Sequence, residues 1–412
     1  MEPARIGLIG VGGYAAHYLR NLLELEAEGV YELVSVAIRT RGKYPEQEKK
    51  LEGHSAKIRR DFDEMLEKDG DRLEVAAIPT GIDSHLDLTI RAFEAGLNVV
   101  LEKPTAATIQ DVDAMIAAAE RTGRFCAIGV QSQWDTNVTA IKRLIGEGRI
   151  GRVKEAIVIG NWRRHDSYYE RNPWAGAWMV DGRYILDGTV SNPFAHYLFN
   201  ALFFASPEPG RTAIPTSVRA ELYRAHDIES EDTSCLEIAC DNGAKVYFYA
   251  SLCASGNRAP TIEIVGEKGR IFWDFGDVAK VYEGDKVVEE IPKGLFDPRL
   301  PMFRNVARCQ RGLDKELNCP IAMTRSHVLA LNGAFESAAA AVSVPEAYVK
   351  RSMDEEAGSM ATELVGIQEL SARAAAERKL YSDLGVPWAE KTQPFSLEGY
   401  TEFTLKPPVA AS

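Results

Sequence analysis

The sequence predicts two folds in one chain. Residues 1–130 read as a doubly wound parallel α/β sheet, and residues 131–412 as an α+β region with a large, mostly antiparallel open sheet. Three observations predict this. Before residue 130, short apolar runs alternate with helical stretches of about 10–15 residues, the pattern of strand–helix–strand crossovers. A glycine cluster, Gly10, Gly12 and Gly13, separates the first such strand from the first helix. Beyond residue 131, strands follow one another through short turns, of which Asp241-Asn242-Gly243 is the plainest hairpin signal.

The elements follow in order. Arg5–Ile9 is a short apolar run bounded by glycine, a buried strand, and Tyr14 to about Glu28 is helical. Leu33–Ile38 is a second strand, Asp61–Lys68 a short helix and Leu73–Pro79 another strand. Ser84 is read as the cap of a helix, with Asp87 as its capping-box partner; Leu86, Ile90, Phe93 and Leu97 keep helical spacing. Val99–Leu101 is a strand, Thr108 and Asp111 repeat the capping pattern, and Phe125–Val130 closes the series. Later strands are expected at Glu155–Asn161, Ser217–Arg224, Ser234–Cys240, Lys245–Ser251, Thr261–Val265 and Arg270–Trp273. Helices are expected at Thr136–Gly146, Pro193–Phe204, Pro301–Gly312, Arg325–Ala341 and Glu355–Leu380, with a tail from Val386 that is loop with one strand at most.

Composition bounds the function. The chain has 412 residues, with 48 Lys plus Arg against 60 Asp plus Glu, a net charge of −12. An acidic surface argues against nucleic-acid binding, which needs phosphate neutralisation. No apolar run is long enough to span a membrane, and the apolar run at Ile6 is too short for a secretory signal. A cytoplasmic protein is expected. The six cysteines form no C-x-x-C pair and the histidines no ligand cluster, so no metal is expected.

Gly10-Val11-Gly12-Gly13-Tyr14-Ala15 fits G-x-G-x-x-A between strand and helix, the phosphate loop of a Rossmann fold. Its first glycine permits the turn, its second lets a pyrophosphate approach, and Ala15 lets helix and strand pack closely. The helix N-terminus presents free amides to the phosphates. An acidic residue after the second strand would favour NAD; the chain has Arg39-Thr40-Arg41 instead. Two guanidiniums suit a 2′-phosphate and tilt the choice from NAD toward NADP. Arg39 and Arg41 stacking on adenine, or facing solvent, is the plain alternative.

Leu101-Glu102-Lys103-Pro104, taken with the glycine loop, resembles the Gfo/Idh/MocA family, the glucose–fructose oxidoreductase and inositol dehydrogenase group. Thr80-Gly81-Ile82-Asp83-Ser84-His85, Gly148–Lys154 and Thr261–Gly269 extend the resemblance over residues 5 to 275. It implies that Lys103 sits beside the nicotinamide, where an ammonium stabilises the alkoxide that develops as hydride leaves. It also implies cofactor contacts from Thr80, His85 and Glu102, a sugar or cyclitol substrate, and a homo-oligomer, dimer or tetramer, joined through the open face of the sheet.

The family usually carries Asp-x-x-x-His, the histidine serving as acid/base. Here the best match is Asp187-Gly188-Thr189-Val190-Ser191, with serine in the histidine position and His196 nine residues after Asp187. Asn192 is read as an N-cap and Pro193 as the first helical residue, placing His196 in the first turns with Asn200 on its face. His196 is then a catalytic candidate, with a packed structural histidine as the alternative, and Asp187 is a candidate orienting carboxylate or acceptor for a sugar hydroxyl, with a turn aspartate before Gly188 as the alternative. The segment Asn161–Gly176 mixes rings with polar groups and lacks helical period. Flat rings stack on sugar C–H faces and polar tips meet hydroxyls, so Arg163, Tyr168, Tyr169, Asn172 and Trp174 are candidate substrate contacts. Tyr168 or Tyr169 could exchange the proton if His196 is remote. Two other functions stay open: an enzyme that retains NAD and cleaves a glycosidic bond by transient oxidation, and a non-catalytic dinucleotide-dependent regulator.

Overall fold

In the computed structural model, which describes residues 2–275, 278–295 and 297–407, the chain opens with β1 (Ala4–Ile9), α1 (Ala15–Ala27), β2 (Tyr31–Ala37), α2 (Pro45–Lys49), β3 (Lys57–Arg59) and α3 (Phe62–Asp69). Next come β4 (Val75–Ile78), α4 (His85–Glu94), β5 (Asn98–Leu101), α5 (Ile109–Thr122), β6 (Cys126–Ile128) and α6 (Thr136–Gly146). The middle of the chain forms β7 (Val153–Asn161), α7 (Asp166–Glu170), β8 (Met179–Val180), β9 (Arg183–Tyr184), α8 (Ala195–Ala205), β10 (Pro215–Arg224), β11 (Thr233–Cys240) and β12 (Lys245–Ser251). It continues with β13 (Thr261–Gly266), β14 (Arg270–Asp274), β15 (Ala279–Glu283), β16 (Lys286–Ile291), α9 (Arg299–Gln310) and α10 (Ile321–Ala338). It closes with β17 (Val342–Ser343), β18 (Val349–Asp354), β19 (Ser359–Leu364), α11 (Ile367–Glu377) and β20 (Phe395–Ser396).

Two units form. The first comprises residues up to Ala106, Asp111–Asp135 and Leu295–Thr324; the second takes Ala107–Gln110, Thr136–Gly294 and the chain from Arg325. The first unit therefore recruits α9 from far along the chain, which local sequence pattern does not reveal. Its six strands lie in the order β3-β2-β1-β4-β5-β6, all parallel. Ile6, Leu8, Val75, Ala77, Val99 and Val100 are fully buried. That explains why these strands read as continuous apolar runs and not as alternating ones. The order reverses beside β1, so the glycine loop stands at the switch point where doubly wound sheets bind ligands.

The second unit holds a ten-stranded sheet, β16-β15-β14-β13-β7-β12-β11-β10-β17, with β20 against β10. Pairing is antiparallel except for β7 with β12 and β10 with β17. Gly160 of β7 lies against the Phe194 ring, where a Cβ would come within 2.5 Å. Alternation along β7 then puts Ile157 on the opposite face, where it clusters with Tyr223, Cys235, Tyr247 and Tyr249 of the sheet and with Ile367, Ala374, Leu380, Tyr381 and Trp388. The central strands are covered on both faces by the chain itself. This corrects the expectation of an open face there.

Four local readings also change. Ser84 does not cap α4: its Oγ bonds the Gly81 carbonyl and the Thr80 hydroxyl in the preceding turn. Asn192 and Pro193 precede the helix, which starts at Ala195, and the Asn192 amide serves Asp187 instead. Glu355–Leu364, read as helix, is mostly the turn and second strand of a hairpin. Gly358 has φ +60° and Asp354 Oδ1 accepts from Ala357 N, which closes the turn. Within the segment read as lacking helical period, residues 166–170 form one short helical turn. Residues 408–412 of the expected tail lie outside the described residues.

Candidate active site

In the first unit, β1 delivers the chain into the glycine loop. Gly10 has φ +88° and Gly13 φ +55°, a region that side chains avoid. A Cβ on Gly12 would lie 2.0 Å from the Tyr44 ring, which reaches back from the segment after β2. Backbone conformation thus calls for glycine at Gly10 and Gly13, Gly12 leaves space that the Tyr44 ring takes up, and the loop leads into α1 at Ala15, a strand–loop–helix order that fits the pyrophosphate of a dinucleotide. Arg39 and Arg41 stand exposed after β2. Arg41 is already engaged: its Nε donates to Glu48 at 2.8 Å, and Gly42 N donates to the same carboxylate.

β5 ends in Glu102 and Lys103, the latter joined to Pro104 by a cis bond. Lys103 is half-buried. Glu102 is sealed at 4% exposure. Its Oε1 accepts from Tyr18 Oη at 2.7 Å and Gln131 Nε2 at 3.1 Å, and its Oε2 from Lys103 N at 3.0 Å. Burial pushes its carboxyl up to about 7 against these bonds and the Lys103 charge. Gln131 Nε2 also donates to Tyr14 Oη at 2.5 Å, and Arg299 Nη1 donates to the same hydroxyl. A chain of hydrogen bonds therefore joins the glycine loop to the residue before Lys103. Glu102 and Tyr14, read as cofactor contacts, here brace the loop. His85 is 1% exposed, with Nδ1 3.0 Å from the Pro104 carbonyl and Nε2 3.2 Å from that of Thr80. Burial lowers its pKa, while the backbone carbonyls that face its two ring nitrogens oppose the fall. The Thr80 hydroxyl bonds that of Ser84, so both side chains have partners within the protein.

In the second unit, Asp187 is 4% exposed. Its two oxygens accept from Gly176 N and Asn192 Nδ2, each at 2.8 Å, and Arg171 Nη2 stands 4.0 Å away. Ser191, in the place of the expected histidine, turns its Oγ to the Leu186 carbonyl and accepts from Gly188 N. His196 is half-buried at the second residue of α8, with Asn200 fully buried one turn on. The expected substrate residues divide. Tyr168 and Trp174 both lie under the Arg171 guanidinium, at 3.5 and 5.0 Å from their ring centroids. Asn172 spends its Oδ1 on Trp174 N and Ala175 N, a turn role. Arg163 bonds the Ser255 carbonyl and lies 3.7 Å from Asp354, tying the segment to the β18–β19 hairpin. Tyr169 packs on the His226 ring at 4.7 Å.

Sequence reasoning missed several groups here. Arg164 and Arg171 lie in the Asn161–Gly176 segment but were not among its candidate substrate contacts. Glu231 is fully buried and takes Ser230 Oγ, Thr189 Oγ1 and Val190 N. Burial raises its carboxyl to about 7, and Asp187 adds to the rise. No spacing signalled His226, Asp232 and Cys253, whose ligand atoms gather within 4.8 Å. Asp232 Oδ2 already accepts from Ala225 N, His226 N and His226 Nδ1, so hydrogen bonds close this cluster.

Residues 4–130 match the model of an oxidoreductase family with an NAD-binding Rossmann fold, and residues 138–272 match the GFO/IDH/MocA C-terminal domain. The chain belongs to the GFO/IDH/MocA family of NAD(P)-dependent oxidoreductases. It is 25% identical over 195 residues to the scyllo-inositol 2-dehydrogenase (NADP(+)) of Bacillus subtilis, covering 46% of this chain and 52% of that one. It is likewise 25% identical over 272 residues to the myo-inositol 2-dehydrogenase of Thermotoga maritima, covering 66% and 75%. The chain thus matches about half the length of the first of these relatives. The WlbA dehydrogenase of Chromobacterium violaceum, solved with NADH and UDP-GlcNAcA, shares the fold at TM-score 0.67 and 21% identity, covering 82% of this chain and 94% of that one. No described helix is long and apolar enough to cross a membrane.

Proposed function

We propose that the protein transfers hydride between a nicotinamide dinucleotide and a hydroxyl-bearing or keto carbon of a sugar, sugar derivative or cyclitol. The observation that carries this reading is Glu102-Lys103-Pro104 at the end of β5, two strands from a glycine loop fit for a pyrophosphate. Gly10, Gly12, Gly13 and the start of α1 would hold the phosphates. The nicotinamide supplies the hydride chemistry when bound. Lys103 offers its ammonium to the reacting oxygen, and Glu102 fixes the main chain at Lys103. His196 is the favoured proton-exchanging group, with Tyr168 next. Asp187, with both oxygens occupied, orients its neighbours. Arg39, which has no carboxylate within ion-pair distance among the described residues, supports a preference for NADP. Self-association, implied by the resemblance, would use β13–β15 beyond α11, where Phe272 and Tyr282 are half-buried.

The test is hydride transfer with NAD+ and NADP+ across a panel of sugars and cyclitols. Lys103→Ala should lower kcat/KM about 10²–10³-fold, the scale of one oxyanion-stabilising group. Nucleotide affinity should change only a few-fold. A regulator would tolerate the substitution, and a transient-oxidation enzyme would release product without net NADH. Either result refutes the reading.

A further inference from the structure

The Trp162–Trp174 segment places two guanidiniums over one ring. Arg171 lies 3.5 Å and Arg164 5.2 Å from the Tyr168 centroid. Each also covers a tryptophan, Arg171 over Trp174 at 5.0 Å and Arg164 over Trp162 at 4.9 Å. Their hydrogen bonds go to main-chain carbonyls, Arg171 to Tyr168 and Arg164 to Arg163. Among the described residues no carboxylate lies within 4.0 Å of Arg164, and Arg171 has Asp187 only at the 4.0 Å limit of an ion pair, with the Asp187 oxygens also accepting from Gly176 N and Asn192 Nδ2. The neighbouring Arg163, by contrast, has Asp354. Burial raises the Tyr168 pKa and Asp187 adds to the rise, while Arg171 and Arg164 oppose it, so these four groups share one field. The Tyr169 hydroxyl beside them is buried with no hydrogen-bond partner.

Two like charges held over one ring repel each other, and in a chain of net charge −12 neutralising carboxylates would be easy to supply. Stacking on aromatic faces keeps each planar fork fixed and its edge N–H groups free, the arrangement that receives a carboxylate or phosphate in two parallel bonds. We propose that Arg164 and Arg171 bind the anionic group of the substrate, a carboxylate or phosphate carried on the sugar, while Tyr168, Trp162 and Trp174 hold the two guanidiniums in place. This inference deepens the hydride-transfer reading and rests on it.

Calorimetric titration of the full chain, saturated with nicotinamide dinucleotide, tests it with D-glucuronate, D-glucose 6-phosphate, D-glucose and myo-inositol. At least one anionic sugar should bind about tenfold or more tighter than the neutral pair. The margin should shrink as salt rises from about 50 to about 200 mM. Whether glucuronate or the phosphate wins names the group recognised. Arg171→Gln should lower the anionic-to-neutral affinity ratio about tenfold, and Arg171→Lys should recover part of it. Arg164→Gln gives a second reading should Arg171→Gln fail to fold. Neutral sugars binding as tightly as anionic ones would overturn the inference while leaving hydride transfer intact. Neither class binding would overturn it as well, and absent turnover would then remove the reading beneath it.

Discussion

Glu102 and Glu231 stand in different units, yet each carboxyl is sealed from solvent and each stays protonated up to about pH 7. Each also presses on a glycine. A Cβ on Gly129 would come within 2.4 Å of Glu102 Oε1, and one on Gly188 within 2.1 Å of the Glu231 carboxyl carbon. They differ in their partners. Oε2 of Glu102 faces the Lys103 N–H, and its Oε1 faces the Gln131 N–H together with the Tyr18 hydroxyl. Oε2 of Glu231 faces the Ser230 hydroxyl, which can donate or accept. Cations, Lys103 and Arg299, support the ionised form of Glu102, whereas Asp187 opposes that of Glu231. The cations near the first site favour a carboxylate, and the second accepts a neutral acid that holds a loop.

The sharpest way to break this comparison is to fill the glycines. Gly188→Ala would drive its methyl into three atoms of Glu231 at 2.1–2.2 Å, in a site with no slack. We expect a loss of about 3 kcal/mol or more. Gly129→Ala meets one oxygen at 2.4 Å and two other atoms near 3.0 Å, and should cost about 2 kcal/mol. Denaturant unfolding measures both. Combining Gly188→Ala with Glu231→Ala should recover much of the loss, since the colliding carboxyl is gone. A full loss in the double variant would show that the collision is not its source.

The difference in partners gives the next effect. Both carboxyls titrate near 7 in the folded chain and near 4.5 when unfolded. Between those values the folded state binds more protons, so stability falls as pH rises. The contribution is complete below about pH 4.5 and is lost through pH 7, at most about 3 kcal/mol for each group. Glu231→Gln should flatten its share and leave the protein more stable than wild type at pH 8, because the amide donates to Ser230 as the acid did. Glu102→Gln should cost about 1–2 kcal/mol at every pH, since its NH₂ must oppose the Lys103 or Gln131 donors. Thermal unfolding from pH 5 to 8 separates them. Matching profiles for the two variants would erase the distinction.

What the sequence made legible follows the same division. Gly10–Ala15 and Glu102–Pro104 are local motifs whose residues act on their immediate neighbours, so spacing alone exposes them. Glu231 cannot be found that way: its partners Thr189 and Val190 lie more than 40 positions upstream and meet it only when the second sheet forms. Gln131 joins Tyr14 across 117 positions, and Tyr44 reaches Gly12 only after β2 is placed. The parallel strands were readable because burial on both faces writes an unbroken apolar run. The β18–β19 hairpin was not: β18 is mostly exposed and carries the charges, β19 is mostly buried, and the pair together imitates one helix with a wet and a dry side. The Asp187 position was legible, but its partner Asn192 was read as a cap, since asparagine before proline has that local preference.

The smallest effect extends the comparison to arginines. Glu48 takes Arg41 at 2.8 Å in the first unit, whereas Asp187 leaves Arg171 at 4.0 Å in the second. Glu48 also accepts from Gly42 N, so it braces the turn after β2 from two directions. Arg41 is then part of that brace, and the proposed preference for NADP would draw on Arg39. An exposed ion pair is worth up to about 1 kcal/mol, so releasing Arg41 by Glu48→Ala should change the NADP-to-NAD ratio of kcat/KM less than about fivefold. Arg41→Ala should have an effect of similar size. Arg39→Ala should lower the ratio about tenfold, the value of one charge-assisted bond to phosphate. If Arg41→Ala proves the more damaging of the two, Arg41 leaves Glu48 when the nucleotide arrives, and the brace is a switch between two anions instead of a fixed strut.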